Sequence, residues 1–170
     1  MRFLDKLYAA GAALAAVFLV LIAALTLSQV IGRAIGVVVP DAGDLAGYAM
    51  AASIFLALAH TFRSGGHIRV NLLLIHVPRR LRHALECWCL ALLTAIGGLF
   101  AVFAVKMVMD SLEFGDVSTG MMPIPLWIPQ TSMAFGAVLF EIAAIEESVR
   151  AFRGREPRYE PAEGADAFIE

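Results

Sequence analysis

Four long apolar stretches, separated by short polar connectors, make up most of this chain. The first runs from Ala9 to Leu27 without an acid or a base. It predicts helix 1 over 7–31, long enough to cross a hydrocarbon core of ~30 Å. A connector punctuated by Gly32, Gly36, Pro40 and Gly43 follows. Helix 2 is predicted over 44–62, with Asp44 as its N-cap beside free backbone N–H groups. Helix 3 is predicted over 81–109, longer than a perpendicular crossing requires, so it tilts or protrudes. Helix 4 is predicted over 126–149, with Trp127 where an amphipathic ring prefers the membrane boundary. Between helices 2 and 3, Gly65–Gly66 breaks the helix, and Ile68, Leu72 and Ile75 then fall on one helical face. Ile68, Val70 and Leu72 also alternate, so an extended piece stays open; an amphipathic segment lying in the interface and ended by Pro78 is preferred. The expected fold class is an all-α membrane protein with four transmembrane helices and a short interfacial amphipathic segment between helices 2 and 3. The membrane domain is expected to span 1–155, followed by a polar, Pro-bearing tail over 156–170 that is expected to be disordered.

Composition points the same way. Of 170 residues, 60% are hydrophobic and 16% charged, with a mean hydropathy of +0.78. Soluble domains sit near ~45–50% apolar and ~25% charged. The net charge of −2 gives no reason to invoke a nucleic-acid partner. A signal peptide competes for the first apolar run, but its core is usually ~7–15 residues and ends in a small-x-small site. This run is longer, and no convincing site follows it.

The placement of charge adds an orientation. The stretch from Arg63 to His83 holds five of the thirteen Lys and Arg residues. Basic residues stay on the cytoplasmic side because moving them across a membrane is disfavoured. With both ends of the chain inside, eleven of the thirteen lie on the cytoplasmic side, and only Arg33 and Lys106 lie outside. Both termini are therefore expected in the cytoplasm, in a multi-pass inner (cytoplasmic) membrane protein of a bacterium or archaeon.

Candidate chemistry is sparse. Helices 1 and 2 carry no Asp, Glu, Lys, Arg or His between Tyr8 and Arg33 or between Asp44 and His60. Glu141 is the deepest acid, about 21 Å past Trp127 at helical rise, toward the inner boundary. Its plain reading is a snorkelling or locally paired carboxylate, with an arginine of the 63–83 stretch as one partner, ahead of a transport role. Cys87 and Cys89, at i and i+2, point to different faces and are read as apolar packing. The histidines His60, His67, His76 and His83 gather at the inner end, whereas a haem site wants facing pairs across helices. No catalytic residue, cofactor or metal site is expected, and the chain is not read as an enzyme. His67 beside Gly65–Gly66 is read as closing a turn. Lys106 and Asp110 stand four apart and can pair. Arg33 and Asp44 face each other across the first connector, and an ion pair tying helices 1 and 2 is the structural reading beside a partner-binding one. Gly47 and Ala51 form a small-xxx-small pair that lets another helix approach closely, from this chain or from a partner.

Several stretches in order together resemble one family: QVIGR at 29–33, the acidic start of helix 2 at Asp44, RSGGHIRVNLL at 63–73, and STGMMPIPLW at 118–127 with Gly136 beyond. The chain resembles the small, DctQ-type membrane subunit of the tripartite ATP-independent periplasmic (TRAP) transporters, from the first helix to about Arg150. Asp44 stands where that family usually has Glu, and Asn71 where an acid is frequent. The resemblance implies a large membrane subunit that carries the substrate and sodium sites, and a periplasmic substrate-binding protein that delivers an organic acid. It implies that this chain packs against the large subunit's stationary scaffold and helps to receive the binding protein. On that reading Arg33, Asp44, Gly47, Ala51, Glu113, Asp116, Pro125 and Trp127 are the expected partner-binding residues, and Gly65, Gly66 and His67 are structural. The rival classes are a self-sufficient small four-helix transporter, which wants a carboxylate well inside helix 1, and a membrane redox subunit.

Overall fold

A computed structural model describes residues 2–64 and 79–153. The readings on Gly65, Gly66 and His67, on the interfacial segment and on the tail lie outside the described residues. Four α-helices account for nearly all of what is described: α1 (Arg2–Ala34), α2 (Ala42–Arg63), α3 (Arg79–Phe114) and α4 (Trp127–Phe152). All four are long and apolar enough to cross a membrane. Among the described residues there is no strand, only an isolated antiparallel bridge between Val117 and Pro125. The chain is thus an all-α, four-span membrane protein.

Apolarity on all sides makes these helices, but it does not choose their neighbours, because lipid tails are as apolar as leucine. The choice is made by small residues and a few hydroxyls. α1 packs on α2, α2 on α4, and α4 on α3, so α2 and α4 form the central pair. The spans of α2 and α4 are accordingly 33% and 39% buried, against 11% and 17% for α1 and α3.

Each contact has its own small residue. On α1, Gly11 and Ala15 are buried, and a Cβ at Gly11 would stand 3.0 Å from the Leu56 carbonyl. One turn along, the buried Ser53 hydroxyl of α2 donates to the Ala15 carbonyl at 3.1 Å. Between the central helices, Gly136 of α4 lies against the backbone of Phe55, where any Cβ would overlap the main chain. On α3, the inward positions Leu90, Thr94, Gly97, Ala101, Ala104, Val108 and Ser111 alternate three and four apart, as in a coiled-coil seam. On α4 the matching positions are Ala134, Ala137, Glu141, Ala144 and Ser148. Thr94 and Ser148 share a 2.7 Å hydrogen bond across this seam. Ser148 also reaches the Leu90 carbonyl at 3.3 Å. Phe55 of α2 stacks on Phe100 of α3, with ring centroids 5.6 Å apart.

At the end where α1 begins and α2 and α4 finish, Arg63 joins three helices. Its guanidinium lies 2.8 Å from Asp5 and 3.1 Å from Glu146, and 4.9 Å over the ring of the buried Tyr8. Tyr8 donates to the same Glu146 oxygen at 3.5 Å. Beneath this clasp Tyr8, Ala59, Phe62, Leu90, Leu139, Phe140 and Ala143 form one buried cluster drawn from all four helices.

Two helix ends follow a shared rule. Gly36 (φ 76°) ends α1 in the left-handed conformation, with Val37 N–H donating to Gly32 C=O at 2.8 Å and Gly36 N–H to Arg33 C=O at 3.3 Å. This is a Schellman cap, and it satisfies carbonyls that a helix end leaves open. Gly115 (φ 67°) ends α3 likewise. The expected N-cap on Asp44 is a correction. The cap position belongs to Asp41, three residues earlier, with φ 54° and no side-chain cap bond, and Asp44 sits inside the first turn of α2. The Asp41 carboxylate is engaged elsewhere.

These contacts give a paired prediction. Gly136→Val forces α2 and α4 apart and is expected to cost about 1–3 kcal/mol, the range for overpacking. Gly47→Val meets nothing within the chain, since no atom lies within 4 Å of a Cβ there, and is expected to be neutral for folding. The unfolding midpoints of the two purified variants in one detergent make the check.

Candidate partner-binding surface

The α1–α2 and α3–α4 connectors form a single structure. Asp41, in the turn between α1 and α2, extends its carboxylate into the connector between α3 and α4. Its two oxygens accept the backbone N–H groups of Met121, at 2.8 Å, and Met122, at 2.5 Å. Successive N–H groups converging on one anion make a small nest, and here the anion comes from the chain itself. Gly120 opens the nest: a Cβ there would stand 2.7 Å from one Asp41 oxygen. The left-handed backbone at Asp41 is a conformation that Asp tolerates better than most residues.

The rest of the loop is closed on itself. Ser118 N–H donates to the Ile124 carbonyl at 2.8 Å, and Ile124 N–H donates to the Ser118 hydroxyl at 3.0 Å. The Ser118 hydroxyl in turn reaches the Met122 carbonyl at 3.2 Å. Leu126 N–H donates to the Asp116 carbonyl at 2.9 Å. Pro123 and Pro125 stiffen the same turn by fixing φ. The loop hands the chain directly to α4, whose first residue is Trp127.

Gly32 supports this end from below. The connector folds back so that the Val37 carbonyl would lie 2.6 Å from a Cβ at Gly32, which only glycine permits. Beside the loop an apolar cavity of about 190 Å³ opens between α1, α2 and the start of α4, lined among others by Phe18, Leu45, Tyr48, Ile124 and Ile128.

The expected partner-binding residues fall into two groups. Arg33, Asp44, Glu113, Asp116, Pro125 and Trp127 come together at this one end. Arg33, Asp44, Glu113, Asp116 and Trp127 are exposed, and Pro125 is half-buried in the bridge to Val117. Asp116 also accepts the Ser111 hydroxyl at 3.3 Å. Gly47 and Ala51 stand further along α2, Gly47 exposed and Ala51 half-buried. The close helix contacts inside the chain use Gly11 and Gly136 instead.

Two expected pairs do not form. Among the described residues no ion pair joins Arg33 to Asp44 or Lys106 to Asp110. The residue that does link the connectors, Asp41, was missed in the sequence reading. Its signal was present as the Pro40–Asp41 turn and the Thr119–Gly120 step, but nothing local says that these stretches meet. Of the four histidines only His60 has a described side chain, and it is exposed. Among the described residues no group of three His, Cys, Asp or Glu side chains is placed to hold a metal.

Glu141 does not pair with Arg63, the one arginine of the 63–83 stretch whose side chain is described, and it projects from the α3–α4 seam against Gly97 and Gly98. One carboxylate oxygen would stand 2.6 Å from a Cβ at Gly97, and the other 3.3 Å from a Cβ at Gly98.

Asp41→Ala removes the acceptor of two N–H groups at once. Asp44→Ala removes only an exposed charge. Net worth is ~0.5–1.5 kcal/mol for an ordinary hydrogen bond and ~1.5–3 when one partner is charged, so the exposed latch is expected to sit near the lower range. Hydrogen exchange read at Met121 and Met122 is expected to rise at least fivefold in Asp41→Ala and to stay unchanged in Asp44→Ala.

Searches of curated proteins and of solved structures return no match. One family does match: the DctQ component of the tripartite ATP-independent periplasmic transporters fits residues 22–154, from within α1 to just past α4. The matched region contains the α1–α2 and α3–α4 connectors, the Gly136 contact and the Arg63 clasp residue. With most of its length covered, this chain belongs to the DctQ family, the small membrane subunits of TRAP transporters.

Proposed function

We propose that this subunit is a stationary scaffold in organic-acid uptake. It holds a large, sodium-coupled membrane subunit on its helical faces and helps to receive the periplasmic substrate-binding protein at its latched outer end. The observation that carries this reading is the Asp41 latch. It makes two separate connectors into one rigid surface, and preorganised surfaces lose less entropy when a partner docks. The spans themselves favour a scaffold over a carrier. Large parts of α1 and α3 face outward, and apolar, and between Tyr8 and Arg33 the first helix offers no charged group to couple to an ion.

The outer end is acidic. Asp41, Asp44, Asp110, Glu113 and Asp116 outnumber Arg33 and Lys106 there. Such a field attracts a basic patch on a diffusing protein and is weakened by salt. Both termini and the Arg63 clasp then lie on the cytoplasmic side, where basic residues concentrate.

Orientation is tested with single cysteines in a background lacking Cys87 and Cys89. Asp116→Cys is expected to react with an impermeant maleimide from the periplasm, and Ser64→Cys only after the membrane is opened. Labelling of both from the periplasm would refute the topology.

Docking is tested in vesicles holding both membrane subunits, with the binding protein added. Reversing Glu113 and Asp116 to Lys is expected to raise the binding-protein concentration for half-maximal uptake about three- to tenfold at low salt. The difference is expected to shrink at high salt, and the sodium dependence to stay unchanged. Equal uptake by vesicles with the large subunit alone would sink the scaffold role.

A further inference from the structure

The seam between α3 and α4 is built from Leu, Thr, Gly, Ala, Val and Ser at every inward position but one. The exception is Glu141. Its neighbour Gly97 lies well inside the Cys87–Phe114 span of α3. Glu141 itself stands about 7–8 Å, five residues of helical rise, outward from the Arg63 clasp residue Glu146. Its carboxylate fills the space that side chains at Gly97 and Gly98 would otherwise occupy. Oε2 is fully enclosed and has no hydrogen-bond partner, although the residue as a whole is only half-buried and so can be approached from outside.

No cation within the described part of the chain serves it. Arg63 is held by Asp5 and Glu146, and Arg150 lies 4.0 Å from Glu147. Lys106 is exposed, nine residues or about 13 Å along α3 from Gly97. A carboxylate within a membrane span is costly unless it is paired, and such residues mark contacts or pathways rather than lipid-facing surface.

We propose that the Glu141 carboxylate, admitted between the helices by the Gly97–Gly98 pair, is a contact site within the membrane for a guanidinium or ammonium group carried by a helix of the large membrane subunit. The occupant follows from charge complementarity: a half-buried acid, an oxygen without a donor, and no cation beside it among the described residues. This inference rests on the scaffold reading, which supplies the neighbouring helix.

The test uses the complete complex with an affinity tag on this chain. The fraction of the large subunit recovered after solubilisation is compared for the unaltered chain, Glu141→Gln, Glu141→Leu and Gly98→Leu. Glu141→Leu is expected to lower recovery at least tenfold. Glu141→Gln, which keeps an acceptor but no charge, is expected to fall between. Gly98→Leu closes the approach while leaving the acid in place, and is expected to resemble Glu141→Leu. The unfolding midpoint of each tagged chain alone is read in parallel, and is expected to change little in Glu141→Gln and Glu141→Leu. Recovery within twofold of the unaltered chain in Glu141→Leu would overturn this site and leave the scaffold reading intact. Destabilisation of the lone chain large enough to account for the lost recovery would also overturn it, by assigning Glu141 a role within the seam. Failure of the unaltered chain to recover any large subunit would overturn both the site and the scaffold reading.

Discussion

Every contact among these helices depends on how closely two backbones can come together. In lipid, burying an apolar side chain against another helix gains little over leaving it in acyl chains, so dispersion at short range and a few hydrogen bonds decide the packing. Gly136 against Phe55 is the tightest case, because there the main chain of α2 occupies the place of a side chain on α4. That contact fixes the central pair. α1 is then placed by Gly11, Ala15 and the Ser53 hydroxyl, and α3 by its seam of small residues. Phe55 serves twice, with its backbone against Gly136 and its ring stacked on Phe100 of α3.

The two ends of the spans are fastened by different chemistry. At the Arg63 end the clasp is ionic and partly shielded, with one guanidinium serving two acids and lying over one ring. At the other end a carboxylate is held by two backbone N–H groups, in a loop tight enough to require glycine at 120. A side-chain pair can be traded for another pair of similar charge. A backbone nest ties the exact path of a loop to one acidic residue, which suits a surface that has to keep its shape when another protein arrives.

Helices α1 and α3 flank the central pair and keep much of their apolar surface outward, including Val17, Leu19 and Val20 on α1 and Val102 and Phe103 on α3. Such surface is at ease in lipid and equally ready for another subunit, so apolarity alone cannot mark the interface. Features that lipid does not favour are more informative, and within the spans Glu141 is the one that stands out. A small membrane subunit can present itself to a larger one through a few such positions while the rest of its exterior stays neutral between lipid and protein.

The amino-acid sequence by itself determined the four spans, because ~20 apolar residues crossing a ~30 Å core is a one-dimensional requirement. Helix ends agreed within three residues, except that α1 starts at Arg2, five residues early, and α3 runs on to Phe114, five residues late. The runs GGHIRV and IPLW were the most specific part of the resemblance, and the DctQ match over 22–154 contains both. Which helices touch was not legible, since an all-round apolar helix has no marked face, and its many Ala and Gly residues offer several equivalent stripes. Gly47 was a candidate for a close helix contact, yet nothing of this chain comes within 4 Å of a Cβ there, whereas Gly11 lies against the backbone of Leu56. The choice of Asp41 over Asp44, and the placing of Glu141 against two glycines of a helix more than forty residues away, were decided only by the tertiary structure. Both depend on where distant backbone segments come to lie, and no local pattern of side chains contains that information.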